Sequence, residues 1–138
     1  MDQLGASDLE ARIVALELEY IWVVNSYAPA TGDEVRQKKR IDEWNPMFGL
    51  YLENLYKSGK GVVLCGDLNI ATRPGDNTIP ASESPPWMKP GDYPCSTDAE
   101  RESWQRDVVK DWLFDTFRYL YPRAENVVSW TPTILHRV

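Results

Sequence analysis

An apolar run near the middle of the chain passes directly into a glycine, an acid and an amide. The run reads Val62-Val63-Leu64-Cys65-Gly66-Asp67-Leu68-Asn69. A short apolar run bounded by glycine is typical of a fully buried strand, which we predict over residues 62–66. Side chains just beyond the carboxyl ends of strands commonly form the binding sites of α/β folds. Asp67 and Asn69 are therefore candidate site residues, and their spacing places both on one side if the backbone stays extended.

Two further strands are predicted before this run. Residues 11–18 and 20–27 are rich in apolar positions, and the second stretch is also rich in β-branched and aromatic residues. Because only Glu19 clearly separates them, we expect a tight antiparallel hairpin. Pro29 and Gly32 end the second strand, and Thr31 or Asp33 is the expected N-cap of the helix that follows.

The period of the apolar positions changes to that of a helix between residues 34 and 58. Pro46 should kink this helix or restart it at a first turn, and Gly59 should end it. A helix that joins two strands indicates a βαβ crossover. We expect the Arg/Lys cluster at 36–40 to form a solvated face, with phosphate contact as the alternative.

The second half of the chain predicts a long loop, two helices and a last strand. Residues 72–96 hold many prolines and form the loop. Thr97 and Glu100 fit a capping box that starts a helix running to about Lys110. Residues 112–121 predict a second helix, stopped by Pro122, and residues 127–130 a strand. We predict an α/β fold in one domain, residues 1–138.

The composition restricts the class of protein but does not indicate its function. The chain has 138 residues, of which 43% are hydrophobic, and this is enough for a packed core. A net charge of −6 does not point to a nucleic-acid-binding protein, but it is compatible with an enzyme that has a local site. Cys65 and Cys95 form no disulfide or metal pattern, and we expect Cys65 to be a buried small hydrophobe. With no signal peptide or membrane span, we expect an intracellular protein of the nucleus or cytoplasm.

Asp67 and Asn69 have two interpretations. They can simply satisfy backbone groups in a turn. Alternatively, Asp67 orients an attacking water or holds a divalent metal while Asn69 donates to a phosphoryl oxygen, as in metal-assisted phosphodiester hydrolysis. The single histidine, His136, lies close to the C-terminus and is not expected to be catalytic. No phosphate-binding glycine loop, nucleophile elbow or zinc-ligand spacing occurs.

Several short motifs, taken together, resemble one family. They occur in order over about residues 10–131, with Arg36, Arg40 and Trp44 in the predicted helix between the first two. The motifs are Tyr-x-Pro-x-x-Gly within 25–32, Leu-Cys-Gly-Asp-Leu-Asn-x-Ala within 62–71 with Asp76 beyond it, Thr-x-x-Glu-Arg at 97–101, Asp-x-Phe-Arg-x-x-x-Pro at 115–122 and Ser-Trp-Thr at 129–131. The chain resembles the exonuclease III family of apurinic/apyrimidinic (AP) endonucleases, within the endonuclease/exonuclease/phosphatase superfamily.

The resemblance implies a fold, a substrate and a set of roles. The family fold is a four-layered sandwich of two sheets flanked by helices, of which this chain supplies part. Tyr27 would reach the scissile phosphate or a site acid, Asp67 would activate water and bind metal, and Asn69 would contact the phosphate. Trp130 and Arg118 would bind substrate. The implied cofactor is Mg²⁺, with Mn²⁺ as an alternative, and the implied partner is DNA containing abasic sites.

The chain also departs from the family pattern. The metal-holding Glu of the family lies in an N-terminal half not found here, the closing Ser-Asp-His motif is not found either, and Ala30 stands where the family often has an amide. We therefore expect exposed apolar faces and little or no nuclease activity from the isolated chain. The alternatives are a phosphatase or phosphodiesterase of the superfamily, or a non-catalytic remnant or binding module. No membrane partner is expected, and no oligomeric state follows.

Overall fold

The computed structural model describes residues 11–77, 84–89 and 92–124, and in these a three-stranded sheet is paired in the order β1-β2-β3. Strands β1 (Ile13–Glu17) and β2 (Ile21–Tyr27) form an antiparallel hairpin. Strand β3 (Gly61–Asp67) pairs parallel to β2. The predicted hairpin and the predicted crossover between β2 and β3 are therefore both confirmed.

The crossover is a helix with a widened turn in its middle. It comprises α1 (Glu34–Lys39), a first π-helical segment (Arg40–Trp44) and α2 (Asn45–Tyr56). Asp33 caps α1 by accepting a hydrogen bond from the Arg36 backbone N–H at 2.8 Å. Pro46 lies in the first turn of α2, where its missing N–H costs nothing, which is one of the two predicted outcomes. Gly59, at φ +87°, follows the helix end as predicted.

The second half contains a loop with a 3-10 turn (Pro74–Asp76), followed by two further helical elements. The predicted capping box is confirmed: Thr97 caps α3 (Asp98–Ser103), which continues into a second π-helical segment (Trp104–Val109). The predicted helix over 112–121 is wrong at its start, since only α4 (Thr116–Leu120) is helical. The reason is that Asp115 has an extended backbone and caps α4 by accepting from the Arg118 N–H at 3.0 Å. The predicted strand 127–130, with Trp130, and His136 lie outside the described residues.

The core lies between one face of the sheet and the helices. Helix α2 packs against the second π-helical segment and against β3. Buried apolar side chains fill this layer because each element turns its apolar face inwards. They are Val24, Ala28, Trp44, Phe48, Leu52, Trp104 and Val108.

The other face of the sheet is open among the described residues, and we call it the open face. Val14 is 66% exposed and Leu16 57% exposed, and both Val63 and Cys65 on β3 are exposed as well. The predictions of a fully buried central strand and a buried Cys65 are therefore wrong, because the described helices cover only one face of the sheet. The expectation of exposed apolar faces is confirmed.

No helix in the described ranges is both long and apolar enough to span a lipid bilayer.

Candidate active site at the carboxyl ends of β2 and β3

The parallel register places the last residues of β2 and β3 side by side. Tyr27 and Asp67 are direct partners in the ladder. The Ala28 N–H donates to the Asp67 carbonyl oxygen at 2.9 Å and holds the two strand ends together. Tyr27 is 55% exposed and Asp67 is exposed, so both are accessible to a ligand. The structure thus brings together two candidate site residues that are far apart in sequence.

Asn69 joins this pair through a bend in the backbone. Its φ of +45° lies in the left-handed region, which asparagine tolerates better than most residues. The condition of an extended backbone, under which Asp67 and Asn69 would share a side, is therefore not met at Asn69. Instead, the Asn69 N–H donates to Asp67 Oδ1 at 3.1 Å, and Asn69 Nδ2 donates to the Ala28 carbonyl at 2.7 Å. The bend keeps Asn69 beside both strand ends.

Gly66 permits the close approach of β3 to β2 at this point. Its φ is +113°, and a Cβ placed on it would lie 2.2 Å from the Ser26 carbonyl oxygen. Both observations exclude a side chain here without backbone movement. A glycine is therefore required directly before Asp67. There it sets the backbone path of the candidate site residues that follow.

Arg40 is the part of the site region that the sequence did not reveal. It is only 3% exposed, so the prediction of a solvated face over 36–40 is wrong for this residue. Its Nη1 donates to the Pro29 carbonyl at 2.6 Å and its Nη2 to the Leu68 carbonyl at 2.9 Å. Burial lowers the pKa of Arg40 to about 10, so the guanidinium still carries its charge at neutral pH.

A buried carboxylate lies behind this region. Glu100 accepts from the Thr31 hydroxyl, from the Cys95 N–H at 3.1 Å and from the Thr97 N–H at 2.9 Å. Thr31 is therefore buried against Glu100 instead of capping α1, where Asp33 takes that position. These bonds tie the segment after β2 to the start of α3.

Arg118 lies in a separate arrangement. It is 8% exposed, and its guanidinium forms an ion pair with Asp76 and donates to the Ala124 carbonyl. Arg73 Nη1 donates to the Pro122 carbonyl at 3.0 Å and ties the same two segments together. The contacts of Arg118 are thus with the loop after β3 and the residues after α4, rather than with Tyr27 or Asp67. Trp130, the other predicted substrate-binding residue, lies outside the described residues.

A cationic cleft of about 400 Å³ opens beside Tyr27. Four basic side chains and one acidic side chain line it, so the local charge is opposite to the net negative charge of the whole chain. The Arg12 guanidinium lies over the Tyr27 ring, 5.1 Å from its centroid. The charged lining residues are Arg12, Arg36, Lys39, Arg40 and Glu43.

Few side chains at the strand ends could coordinate a metal ion. Among residues 11–77, 84–89 and 92–124, no group of three or more His, Cys, Asp or Glu side chains is arranged to hold a metal ion. Asp67 is exposed at the strand end beside the Asn69 amide. Mg²⁺ is commonly held by one or two carboxylates, with water and substrate phosphate completing its shell. One accessible carboxylate fits that mode of binding.

Two curated relatives match this chain over most of its length. The chain is 32% identical over 126 residues to an exodeoxyribonuclease of Bacillus subtilis, covering 89% of this chain and 45% of that protein. It is 32% identical over 125 residues to a DNA-(apurinic or apyrimidinic site) endonuclease of Dictyostelium discoideum, covering 89% of this chain and 32% of that protein. The chain is homologous to exodeoxyribonucleases and AP endonucleases. This confirms the resemblance inferred from its motifs.

The fold comparison gives the same result. An AP endonuclease from Archaeoglobus fulgidus superposes with a TM-score of 0.73 at 19% identity, over 98% of this chain and 49% of that one. Nearly the whole of this chain therefore has the α/β fold of about half of that AP endonuclease. The predicted fold class is confirmed. No family model matches the sequence. The chain spans less than half the length of the two curated relatives named above.

Proposed function

We propose that this chain carries the Tyr27–Asp67–Asn69 part of the active site of a DNA-repair nuclease, which hydrolyses phosphodiester bonds at abasic sites with a divalent metal. The observation that carries the proposal is the parallel register, which sets Tyr27 beside Asp67 at one edge of a sheet whose fold matches an AP endonuclease. Its homology to exodeoxyribonucleases and AP endonucleases supports the substrate class.

We propose a role for each of the three side chains, supported by its position and contacts. Asp67 Oδ1 accepts the Asn69 N–H, and this fixes the carboxylate so that it can orient an attacking water. The Asn69 amide group has two N–H donors, and the Ala28 carbonyl accepts one of them. We assign the second donor to a phosphoryl oxygen. We assign the exposed Tyr27 hydroxyl to the scissile phosphate.

The remaining parts of the proposal concern metal and DNA. Asp67 would hold the divalent ion, Mg²⁺ or alternatively Mn²⁺, which when bound stabilises charge on the phosphoryl oxygen. The cationic cleft beside Tyr27 gives an otherwise acidic chain a local surface for DNA phosphates. The substrate is therefore expected to enter along the cleft and reach Asp67 past the Tyr27 ring.

The test should not depend on whether the chain is sufficient on its own, since it spans 45% of the Bacillus subtilis relative. We would replace the matched region of that exodeoxyribonuclease with the corresponding residues of this chain. Nicking of a labelled duplex with one tetrahydrofuran abasic analogue, in Mg²⁺, is the assay. We expect cleavage by the chimera, and a loss of about 100-fold or more for Asp67→Asn, because the group that orients water is removed.

The matched control is Asp111→Asn, which removes an exposed carboxylate away from the strand ends and should leave the rate within about twofold. Circular dichroism checks that each chimera is folded. A folded chimera that leaves abasic DNA uncut, or an Asp67→Asn chimera that cuts at the full rate, would contradict the proposal.

An intact duplex and a small phosphomonoester, assayed in parallel, distinguish a nuclease from a phosphatase of the superfamily. The full-length chain alone, assayed in the same way, tests the expectation of little or no activity.

A further inference from the structure

We propose that Arg40 is the positioning residue that sets the separation of Tyr27 and Asp67, by holding the two loop segments that leave β2 and β3. The inference rests on the proposed function for its catalytic meaning. It names a residue that acts through others, since Arg40 bonds to backbone carbonyls and not to the candidate catalytic side chains.

The contacts of Arg40 extend to both loops at once. On the β2 side, Nη1 donates to the Pro29 carbonyl at 2.6 Å. On the β3 side, Nη2 donates to the Leu68 carbonyl at 2.9 Å, and Nη1 also reaches the Asn69 carbonyl at 3.4 Å. One planar group therefore links the residue two positions after Tyr27 with the residue directly after Asp67. The Asn69 side chain adds a second link, from the β3 side to the Ala28 carbonyl, whereas Arg40 bonds to both segments from a separate element.

A π turn in the helix positions the Arg40 side chain. The Asn45 N–H bonds to the Arg40 carbonyl five residues back, which is the widened turn of a π helix. That turn brings Asn45 Oδ1 to 2.7 Å from Arg40 Nε. The guanidinium also lies over the Trp104 ring of the second π-helical segment, 5.6 Å from its centroid. π turns are uncommon and frequently occur at functional sites. Here the turn holds the base of the guanidinium so that its two outer nitrogens face the loops.

Lysine cannot replace this group. A guanidinium presents a rigid planar fork of donors, whereas an ammonium is a point charge on a flexible stem. Arg40→Lys therefore keeps the positive charge near Asp67 and removes the fork that bridges two carbonyls. The variant separates the geometric role from a purely electrostatic one.

The experiment measures amide hydrogen exchange by NMR on the full chain. The Ala28 N–H, which donates to the Asp67 carbonyl, reports the junction of the two strand ends. We expect Arg40→Lys to accelerate Ala28 exchange at least tenfold relative to the amides of the β2–β3 ladder. The control is Arg36→Lys, one helical turn earlier with an exposed side chain, and it should leave that ratio unchanged.

A general loss of stability would produce a different pattern. If Arg40 served only to stabilise the fold, Ala28 and ladder amides would accelerate together, and that result, or no change at all, would overturn the proposal. If Arg40→Lys does not fold, Asn45→Ala keeps the guanidinium but removes the acceptor of its Nε. We expect the same local acceleration of Ala28 at a smaller magnitude, and its absence would equally overturn the inference.

Kinetic measurements test whether the positioning by Arg40 affects the proposed reaction. In the nuclease chimera, Arg40→Lys should lower kcat about tenfold or more and leave KM within about twofold, because misplaced catalytic groups affect the transition state more than binding. A rise in KM alone would show that Arg40 binds substrate instead. A chimera without any activity would count against the proposed function, while the exchange ratios would still decide the role of Arg40.

Discussion

Glu100 shows how single side chains build the surroundings of the candidate site. It is 2% exposed and is satisfied by donors on both carboxylate oxygens. Oε1 accepts from Thr31 and the Cys95 N–H, while Oε2 accepts from the N–H and the hydroxyl of Thr97. A buried charge is tolerated when it is fully hydrogen-bonded.

Glu100→Gln should lower the free energy of unfolding by about 2 kcal/mol. The amide nitrogen of glutamine would face N–H donors on whichever side it takes, so one set of bonds is lost and a donor is left buried. Urea unfolding followed by tryptophan fluorescence measures the change. Glu102→Gln, on the exposed side of the same helix, is the control and should stay within about 0.5 kcal/mol. Equal stability of the two variants would contradict this account.

At the level of residues, the sequence indicated some roles and concealed others. Asp67 and Asn69 follow an apolar run, and this pattern marks a strand end without any structure. Arg40 is one of several basic residues between 36 and 40, and helical periodicity alone does not tell which of them turns inwards. Cys65 looks like a core residue by type, yet its exposure depends on which face of the sheet is covered.

Among the elements, α2 and the second π-helical segment pack closely at Gly49. A Cβ placed on Gly49 would lie 1.8 Å from the Asp107 carbonyl oxygen. The two helical backbones therefore touch at this glycine, next to the buried Phe48. Such an approach requires a residue without a side chain, whatever the preference of helices for alanine.

Gly49→Ala should destabilise the protein by about 3 kcal/mol, because the helices must separate or the Asp107 backbone must shift. In a helix that packs loosely, the same change would be stabilising. Thermal and urea unfolding give the measurement. Gly75→Ala is the matched control, because nothing lies within 4 Å of its added Cβ. A Gly49→Ala variant as stable as Gly75→Ala would show that the contact is not tight in solution.

Local sequence signals predicted the secondary-structure elements better than they predicted how deeply those elements are buried. The hairpin, the crossover helix and the Thr97 cap each depend on a few neighbouring residues, and all three were found. The helix predicted over 112–121 began too early because Asp115 serves as a cap rather than as an interior residue. Burial of β3 was overestimated because it depends on how many layers cover the sheet, which a single apolar run does not encode.

On the scale of the whole molecule, the open face exposes several apolar side chains on one side of the sheet. Val14, Leu16 and Val63 lie on it together with Cys65, and the Tyr27–Asp67 pair lies at its end. Contiguous exposed apolar residues favour association. The same face thus carries both the candidate site and exposed apolar side chains that favour association.

Replacing Val14 and Leu16 together by threonine should reduce self-association. Threonine keeps the preference for strands but adds a hydroxyl to a surface that is already exposed. Sedimentation velocity over a range of concentrations should show a lower weight-average sedimentation coefficient for the double variant, with stability changed by less than about 0.5 kcal/mol. Val35→Thr, an exposed position on α1 instead of the sheet, is the control. Identical concentration dependence in all three proteins would contradict the prediction.

The parallel pairing of β2 with β3 also determines when the site forms during folding. The β1–β2 hairpin and the helices depend on local contacts, which form quickly. The Tyr27–Asp67 pair instead requires closure of the whole crossover, so the entropy of that loop must be overcome first. A nascent chain that has completed α2 has a hairpin and a helix but not yet Asp67. The candidate site therefore forms only once the crossover has closed, after the hairpin on which Tyr27 lies.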